Sequence, residues 1–441
     1  MDTYYLRSFG CQMNAHDAER ICALLEAEGY ERVDQPDAAT VLVYNTCTVR
    51  KSADDRLAGH LGDAARLKRL DPRRVILVTG CLPQTERDDF FVRFPYVDGA
   101  LGPQNLHRLP ELLHNAHAAS GSSAFRWGFF EDGPHLSGEL RGVRERPYQA
   151  WVQTMSGCTN FCSYCIVPFA RGPERSRELT ALVEEVRGLV TDGVREVTLL
   201  GQNVNAYGLD LRRGGRSEAP DFSALLRALD AIPGLARIRF MTSHPKDLSD
   251  DLVRAVAELD SVCEHVHLPA QAGSDRVLAA MNRGYTVRDY LARVWALRAA
   301  VPGISITTDL IAGFPGESEE DFAQTLRLCE EARFDGAFTF LYSPRAGTPA
   351  AERSDQIPAE VKSERVQRLV ALTQELALAR NQTSIGRRVE ILVEGASRDG
   401  SRLRGRTRQN VTVNATGVAQ PGAIVEVEVT EASSTTLRGR L

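Results

Sequence analysis

The stretch "SGCTNFCSYCIVPFARG", Ser156–Gly172, sets three cysteines at CxxxCxxC spacing directly ahead of an apolar run. Its surroundings decide what scaffold carries it. Upstream stands the strand-like "AWVQTM" (150–155), and downstream follow "EVTLL" (196–200), "ARIRFM" (236–241), "EHVHL" (264–268), "ISITTDL" (304–310) and "GAFTFLY" (336–342). Helical stretches separate them, among them "RELTALVEEVRGLVTDG", "DFSALLRALDAI" and "SEEDFAQTLRLCEEARF". Alternation of strands and helices builds right-handed βαβ units. Six such strands rather than eight predict a partial, open (βα)6 barrel. The cysteine loop follows the first barrel strand, at the end where barrels place their chemistry.

Three thiols in one tight loop favour zinc or an iron–sulfur cluster. Structural zinc takes four closed ligands, and no Cys or His soon after Cys165 completes a set. A [4Fe–4S] cluster on three thiolates leaves one iron open for a substrate or cofactor. The compartment agrees with metal ligation. The N-terminus "MDTYYLRSFGCQMN" has no basic region followed by an apolar one, and no apolar run is long enough to span a bilayer. A cytoplasmic, soluble chain is expected, where structural disulfides are disfavoured and clustered thiols bind metals or react. Of the nine cysteines, Cys22, Cys263 and Cys329 lie in apolar-periodic or strand-like segments and read as core thiols.

Ahead of the barrel a pattern repeats: "YYLRSFGC", "VLVYNTC" and "VILVTGC" each run as a strand into a turn residue and then Cys11, Cys47 or Cys81. The cysteines are 36 and 34 residues apart, about one βαβ unit each. All three then fall at the C-terminal ends of neighbouring parallel strands, the edge where open α/β sheets bind ligands. A shared metal site is expected there. The chain divides into an α/β domain (1–117), a linker (118–146), the barrel with its closing helix (147–378) and a basic tail (379–441). From Thr383 onward, short β-rich runs separated by Gly predict a small antiparallel β-barrel. From Thr383 to its end, the tail holds nine Arg against six Asp and Glu, a net +3, which leaves −8 for the rest of a chain of net charge −5. Its arginines cluster at Arg402, Arg404, Arg406 and Arg408, which suits phosphate contacts.

CxxxCxxC after the first strand of a partial barrel resembles the radical S-adenosylmethionine superfamily. The whole chain resembles the methylthiotransferases, which join a three-cysteine α/β domain, a radical barrel and a C-terminal TRAM domain. The segments "FGCQMNAHDAER", "NTCTVR", "TGCLPQ", "SYCIVPFARGPERSR", "LLGQNVNAYG", "SHP", "HLPAQAGSDRVLAAMNRGYT", "TDLIAGFPGE" and "YSPRAGTPAA" stand in that family's order. The resemblance implies two [4Fe–4S] clusters, on Cys158, Cys162 and Cys165 and on Cys11, Cys47 and Cys81. It implies S-adenosylmethionine as both methyl donor and source of a 5′-deoxyadenosyl radical, and a low-potential electron donor, flavodoxin or ferredoxin. Phe161 and Tyr164 would shield the first cluster.

Cosubstrate contacts are expected at Gly201, Gln202 and Asn203, where many radical enzymes have Gly-Gly-Glu, at Ser243, and at Gly313, Phe314 and Pro315 on the adenine side. His244, Gln271 and Ser274 also follow barrel strands, and His265 and His267 read as hydrogen-bonded core or rim residues. The family's targets are tRNA bearing isopentenyladenosine or threonylcarbamoyladenosine at position 37, or an aspartate of a ribosomal protein. "GCQMN", "NTCTVR" and "GQNVNAYG" resemble the isopentenyladenosine branch, and the Arg-rich tail suits the tRNA anticodon loop. The enzyme is expected to work as a monomer. The reading from another class is a non-catalytic iron–sulfur or zinc protein that binds RNA.

Overall fold

In "VLVYNT" every residue of the strand Val41–Thr46 is buried, as in a central strand covered on both faces. The computed structural model describes residues 2–48, 51–118, 127–130 and 142–441. Strands β1 (Thr3–Ser8), β2 (Glu31–Arg32), β3 (Val41–Thr46), β4 (Val75–Gly80), β5 (Gly99–Leu101) and β6 (Trp127–Phe129) form one parallel sheet in the order β2-β1-β3-β4-β5-β6. Helices α1 (Gln12–Ala27), α2 (Lys51–Leu70), α3 (Cys81–Glu86), α4 (Asp88–Arg93) and α5 (Leu109–Ala118) connect them. Successive side chains of a strand face opposite ways, so β3 serves two cores. Val41 and Val43 pack with Ile21 and Leu25 of α1 and Leu109 and Leu112 of α5. Leu42 and Tyr44 pack with Leu57 and Leu61 of α2 and Phe90 of α4. The result is a three-layer α/β domain.

The stretch 118–146, expected to be a linker, is sheet in part. Trp127–Phe129 pairs in parallel with β5, a strand of three residues and so too short to show an alternation in sequence. Residues 119–126 and 131–141 of that stretch lie outside the described residues.

The barrel strands are β7 (Gln149–Gln153), β10 (Glu196–Leu200), β11 (Arg237–Phe240), β12 (His265–His267), β13 (Ser305–Ala312) and β14 (Gly336–Leu341). A short antiparallel pair, β8 (Met155–Ser156) with β9 (Arg175–Ser176), brackets the cysteine loop. Two parallel triplets, β11-β10-β7 and β12-β13-β14, join through a parallel bridge between Ile238 and Val262. There the Ile238 N–H donates to Ser261 O at 2.7 Å and the Cys263 N–H to Ile238 O at 2.9 Å. Around this arc lie α6 (Val167–Arg171), α7 (Leu179–Thr191), α8 (Leu209–Arg213), α9 (Phe222–Asp230), α10 (Asp250–Glu258), α11 (Asp275–Ala280), α12 (Val287–Ala300), α13 (Glu319–Ala332) and α14 (Ala359–Gln382). Capping boxes start α12 at Thr286 and Asp289 and α13 at Ser318 and Asp321. Helix α14 packs along β14 and closes the open side.

Strands β15 (Arg388–Ala396), β16 (Leu403–Thr407), β17 (Thr412–Thr416), β18 (Ile424–Ala432) and β19 (Thr436–Arg440) form a closed barrel in the order β15-β16-β17-β19-β18. One of its pairs, β17 with β19, is parallel, which differs from an all-antiparallel expectation. This small barrel docks on the N-terminal ends of the large barrel's strands. Arg237, the first residue of β11, donates to Arg406 O at 2.8 Å and to the Glu390 carboxylate at 2.7 Å. Arg239 donates to Thr407 O (2.7 Å), Arg408 O (2.9 Å) and Glu196 (2.9 Å). Among the described residues no helix is long and apolar enough to cross a membrane.

Candidate metal centres

The strand ends of the α/β domain bring Cys11, Cys47 and Cys81 together. Cys47 directly follows β3, Cys81 directly follows β4 and Cys11 immediately precedes α1. Glycine makes the convergence possible. Gly10 and Gly80 have φ of 124° and 105°; a Cβ on Gly10 would lie 2.4 Å from Cys47 Cβ, and one on Gly80 2.2 Å from Thr46 O. A lattice of buried amides and hydroxyls ties the three ends. Asn14 Nδ2 donates to Thr46 O at 2.8 Å, its Oδ1 accepts from Cys11 Sγ at 3.3 Å, and Asn45 Nδ2 donates to Asn14 O at 2.8 Å. Thr79 Oγ1 donates to Asn45 Oδ1 at 3.2 Å. Asn14 and Asn45 were missed by sequence reasoning, although an Asn inside the apolar run "VLVYNTC" was a signal of a buried polar contact.

Cys11 is exposed, whereas Cys47 and Cys81 are buried. A hydrogen bond with Cys47, aided by the Arg171 charge against the effect of burial, pulls the Cys11 thiol down to about 6. Burial raises that of Cys81. Thiolate is the ligand form, so Cys11 is poised for it.

In the barrel loop, Cys162 is buried and Cys158 and Cys165 are half-buried. Burial pushes Cys158 up to about 11 and Cys165 up to about 12; ligation there must release protons. Among the described residues, no three His, Cys, Asp or Glu side chains close around a single ion. A lone zinc would draw its sulfurs to about 2.3 Å; a cubane, taking one thiolate per corner iron, suits thiols set further apart. Phe161, expected to shield this site, is exposed and meets Phe169 edge-on at 6.4 Å. Tyr164 turns inward to the Arg283 guanidinium, 3.5 Å away.

Helix α6 stands between the two groups of thiols. At its C-terminal end, Gly172 O accepts from the Cys158 N–H at 3.0 Å. Arg171, 4% exposed, donates to Asp17 of α1 at 3.0 Å, and Gln104 Nε2 of the α/β domain donates to Arg171 O. A third contact, Arg345 to Asp54 at 2.8 Å, joins α2 to the loop after β14. The cysteine-bearing edge of the sheet therefore faces the mouth of the barrel.

At that mouth four buried polar atoms, Gln202 Oε1, Asn203 Oδ1, Ser243 Oγ and His244 Nε2, have no hydrogen-bond partner among the described residues. Most buried polar groups in proteins are paired, and these four, gathered at the barrel mouth, suit a polar cosubstrate. Asn203 is fixed by donating to Asp247 at 2.7 Å, and burial drives the His244 imidazole down to about 2. Gly201 packs closely, since a Cβ there would lie 2.8 Å from Met155 Cγ. Gly313, Phe314 and Pro315 are all buried. The Phe314 ring has no exposure and packs edge-on against Tyr342. The turn is stapled instead: the Gly313 N–H donates to Glu317, which pairs with Arg365 of α14, each at 2.8 Å. Gln271 has a left-handed φ of 69°, Ser274 caps α11, and His265 and His267 share Thr307 Oγ1 at 3.0 Å. Cys22, Cys263 and Cys329 are core thiols.

The four arginines of the small barrel divide. Arg408 is held by Glu264 at 2.8 Å and by the carbonyls of Asp260 and Val262. These contacts help dock the small barrel on the large one. Arg406 pairs with Glu394 at 3.0 Å. Arg404 is looser, 3.5 Å from Glu394, and Arg402 forms no ion pair among the described residues.

A partial barrel with a three-thiol loop, a sheet edge with three more thiols and a small terminal barrel define a radical S-adenosylmethionine protein with an added metal-binding domain. Residues 152–329 match the family described as the radical SAM superfamily, 3–102 match the uncharacterized protein family UPF0004, and 382–441 match the TRAM domain. The chain is 45% identical over 99% of its length to the tRNA-2-methylthio-N(6)-dimethylallyladenosine synthase of Acetivibrio thermocellus, covering 90% of it. It is 46% identical over its whole length to the same synthase of Carboxydothermus hydrogenoformans, covering 99%. The chain belongs to this family. In fold it is similar to the radical S-adenosylmethionine methyltransferase TsrM from Kitasatospora setae, with TM-score 0.58 and 15% identity over 80% of this chain and 77% of that one.

Proposed function

We propose that the chain inserts a methylthio group at C2 of N6-isopentenyl(dimethylallyl)adenosine at position 37 of tRNA, forming 2-methylthio-N6-dimethylallyladenosine. The observation that carries this reading is the pairing of two three-thiol groups across the five-residue helix α6. It is supported by identities of 45% and 46% to the synthases above. In this reading Cys158, Cys162 and Cys165 hold a [4Fe–4S] cluster with one iron open to S-adenosylmethionine, and Cys11, Cys47 and Cys81 hold a second. When bound, the clusters supply the electron that cleaves S-adenosylmethionine to a 5′-deoxyadenosyl radical and the sulfur that, methylated by another S-adenosylmethionine, replaces hydrogen at C2.

The chain's own residues bind and orient. Gln202, Asn203 and Ser243 take up the cosubstrate with their unpaired atoms, and Gly201, packed against Met155, holds the turn that presents them. The docked α/β domain covers the mouth and keeps water from the radical. The three units divide the work as sulfur-bearing domain (1–117), radical barrel (147–378) and RNA-binding module (379–441). Arg402, just before β16, and Arg404, on it, contact phosphates, where counterion release supplies affinity. The module docks at the far end of the barrel from the thiols, so RNA held by it must run about 15 Å, the length of a five-residue strand, to reach them. An unpaired loop nucleotide at the end of a stem suits that reach, and unpaired bases are what proteins read in RNA. A flavodoxin or ferredoxin supplies the electron, and the enzyme acts as a cytoplasmic monomer. The test is anaerobic reconstitution: about eight irons per chain and release of 5′-deoxyadenosine support the reading, and bound zinc without cleavage refutes it.

A further inference from the structure

Arg283 stands in the turn after α11, within "AAMNRGY" (279–285), and is only 5% exposed. Its guanidinium donates to Pro269 O (3.0 Å), Tyr285 Oη (3.1 Å), Cys162 Sγ (3.4 Å) and Tyr164 Oη (3.5 Å). Tyr285 is itself fixed, donating to Ala270 O at 2.9 Å. Among the described residues no carboxylate pairs with Arg283. A buried charge without a counter-charge is strongly disfavoured, and of the four partners Cys162 is the one that becomes an anion on binding metal.

The same turn grips the cysteine loop. The Ser163 N–H donates to Met281 O at 3.0 Å and Ser163 Oγ to Ala280 O at 2.8 Å. Asn282, at a left-handed φ of 58°, donates from Nδ2 to Phe161 O at 3.0 Å and Asn160 O at 3.2 Å. The fourth strand-to-helix connection thus clamps the loop and sets a fixed cation on its middle sulfur.

We propose that Arg283 is a positioning residue for the barrel cluster: its charged hydrogen bond to the Cys162 sulfur stabilises the reduced cluster and raises its reduction potential. The inference rests on the reading of Cys158, Cys162 and Cys165 as cluster ligands. A [4Fe–4S]2+ core with three thiolates carries one negative charge, and one electron from a flavodoxin or ferredoxin makes it two. A cation at the sulfur favours the second state, since net charge and hydrogen bonds to sulfur set such potentials. Charged hydrogen bonds are also the strong ones. The arrangement eases transfer of the electron into the cluster.

The test is an EPR-monitored redox titration of the full chain carrying Cys11→Ala, Cys47→Ala and Cys81→Ala, so that one signal reports the barrel cluster. In this parent, Arg283→Met lowers the reduced-to-oxidised ratio at a fixed potential at least tenfold, a shift of about 59 mV for one electron. Arg283→Lys keeps the cation and stays within about threefold of the parent. If the methionine variant holds no iron, the lysine variant decides: a cluster at the parent's potential supports the proposal, and a tenfold shift or no cluster overturns it. An unshifted Arg283→Met with weakened S-adenosylmethionine binding would assign the cation to the methionine carboxylate and overturn the proposal alone. A parent without an iron–sulfur signal would overturn the ligand reading and this inference with it.

Discussion

Replacing Gly10 by alanine sets a methyl carbon 2.4 Å from Cys47 Cβ and 2.8 Å from Asn14 Oδ1, at a φ of 124°. Neither neighbour can yield easily. Cys47 is 2% exposed at the end of the central strand, and Asn14 is bonded to Thr46 and Cys11. Holding a non-glycine residue at such a φ costs about 1–3 kcal/mol, and overpacking adds about 1–3 kcal/mol. The sum of about 2–6 kcal/mol is relieved by moving Cys11 away from Cys47, so the damage falls on metal binding. Gly29 is the control: its φ is 85°, but a Cβ there meets nothing within 4 Å, leaving about 1 kcal/mol of backbone cost. A chain of several domains has no single two-state stability, so iron per chain after anaerobic reconstitution is the better assay. Gly29→Ala keeps about eight irons, while Gly10→Ala falls to about four, still releases 5′-deoxyadenosine and makes no methylthio product. Full iron loading and product formation by Gly10→Ala would refute the reasoning.

Three further outcomes are expected. His16 is fully buried with Nδ1 3.7 Å from the Asp17 carboxylate, and burial, then the Arg20 charge, depress its pKa to about 3 against the pull of Asp17. The unfolded chain protonates this group at about 6.5. Its contribution is therefore intact above about pH 6.5 and falls as pH drops toward 3, by about 1.4 kcal/mol per unit; hydrogen exchange of the α1 backbone amides at pH 7 and 5 in the wild type and His16→Gln reads this locally and should show that slope lost in the variant. Arg239→Met breaks a buried pair with Glu196, both 5% exposed or less. Breaking such a pair costs about 3–5 kcal/mol, and the bonds to Thr407 O and Arg408 O across the interface are lost with it, so docking weakens, read as a larger radius in solution scattering. Arg402→Gln with Arg404→Gln leaves docking intact, weakens tRNA binding and lowers the slope of log affinity against log salt by about 1.4–1.8.

The periodic features were legible in the sequence. Strands of five or six residues such as β3, β4 and β10 showed as apolar runs, and the helices between them as amphipathic patterns. The repeat of strand, turn and cysteine told which sheet edge the thiols share. Features set by side chains meeting across domains were not legible. "RLRGRTR" looks like one basic patch, yet Arg408 belongs to Glu264, 144 residues earlier, and only the docked barrels reveal it. "GFPGE" looks like an open glycine turn, yet Arg365 of α14 closes it through Glu317. Arg283 sits in a segment that carries the family resemblance, but nothing local distinguishes a buried arginine from a solvated one, so its contact with Cys162 was not legible.

The most direct test is mass spectrometry of nucleosides from tRNA bearing isopentenyladenosine at position 37, incubated anaerobically with reconstituted protein, S-adenosylmethionine and a low-potential reductant. The expected result is conversion of that nucleoside to its 2-methylthio derivative. A methylthio group on threonylcarbamoyladenosine alone, or 5′-deoxyadenosine release with no modified nucleoside, would contradict it.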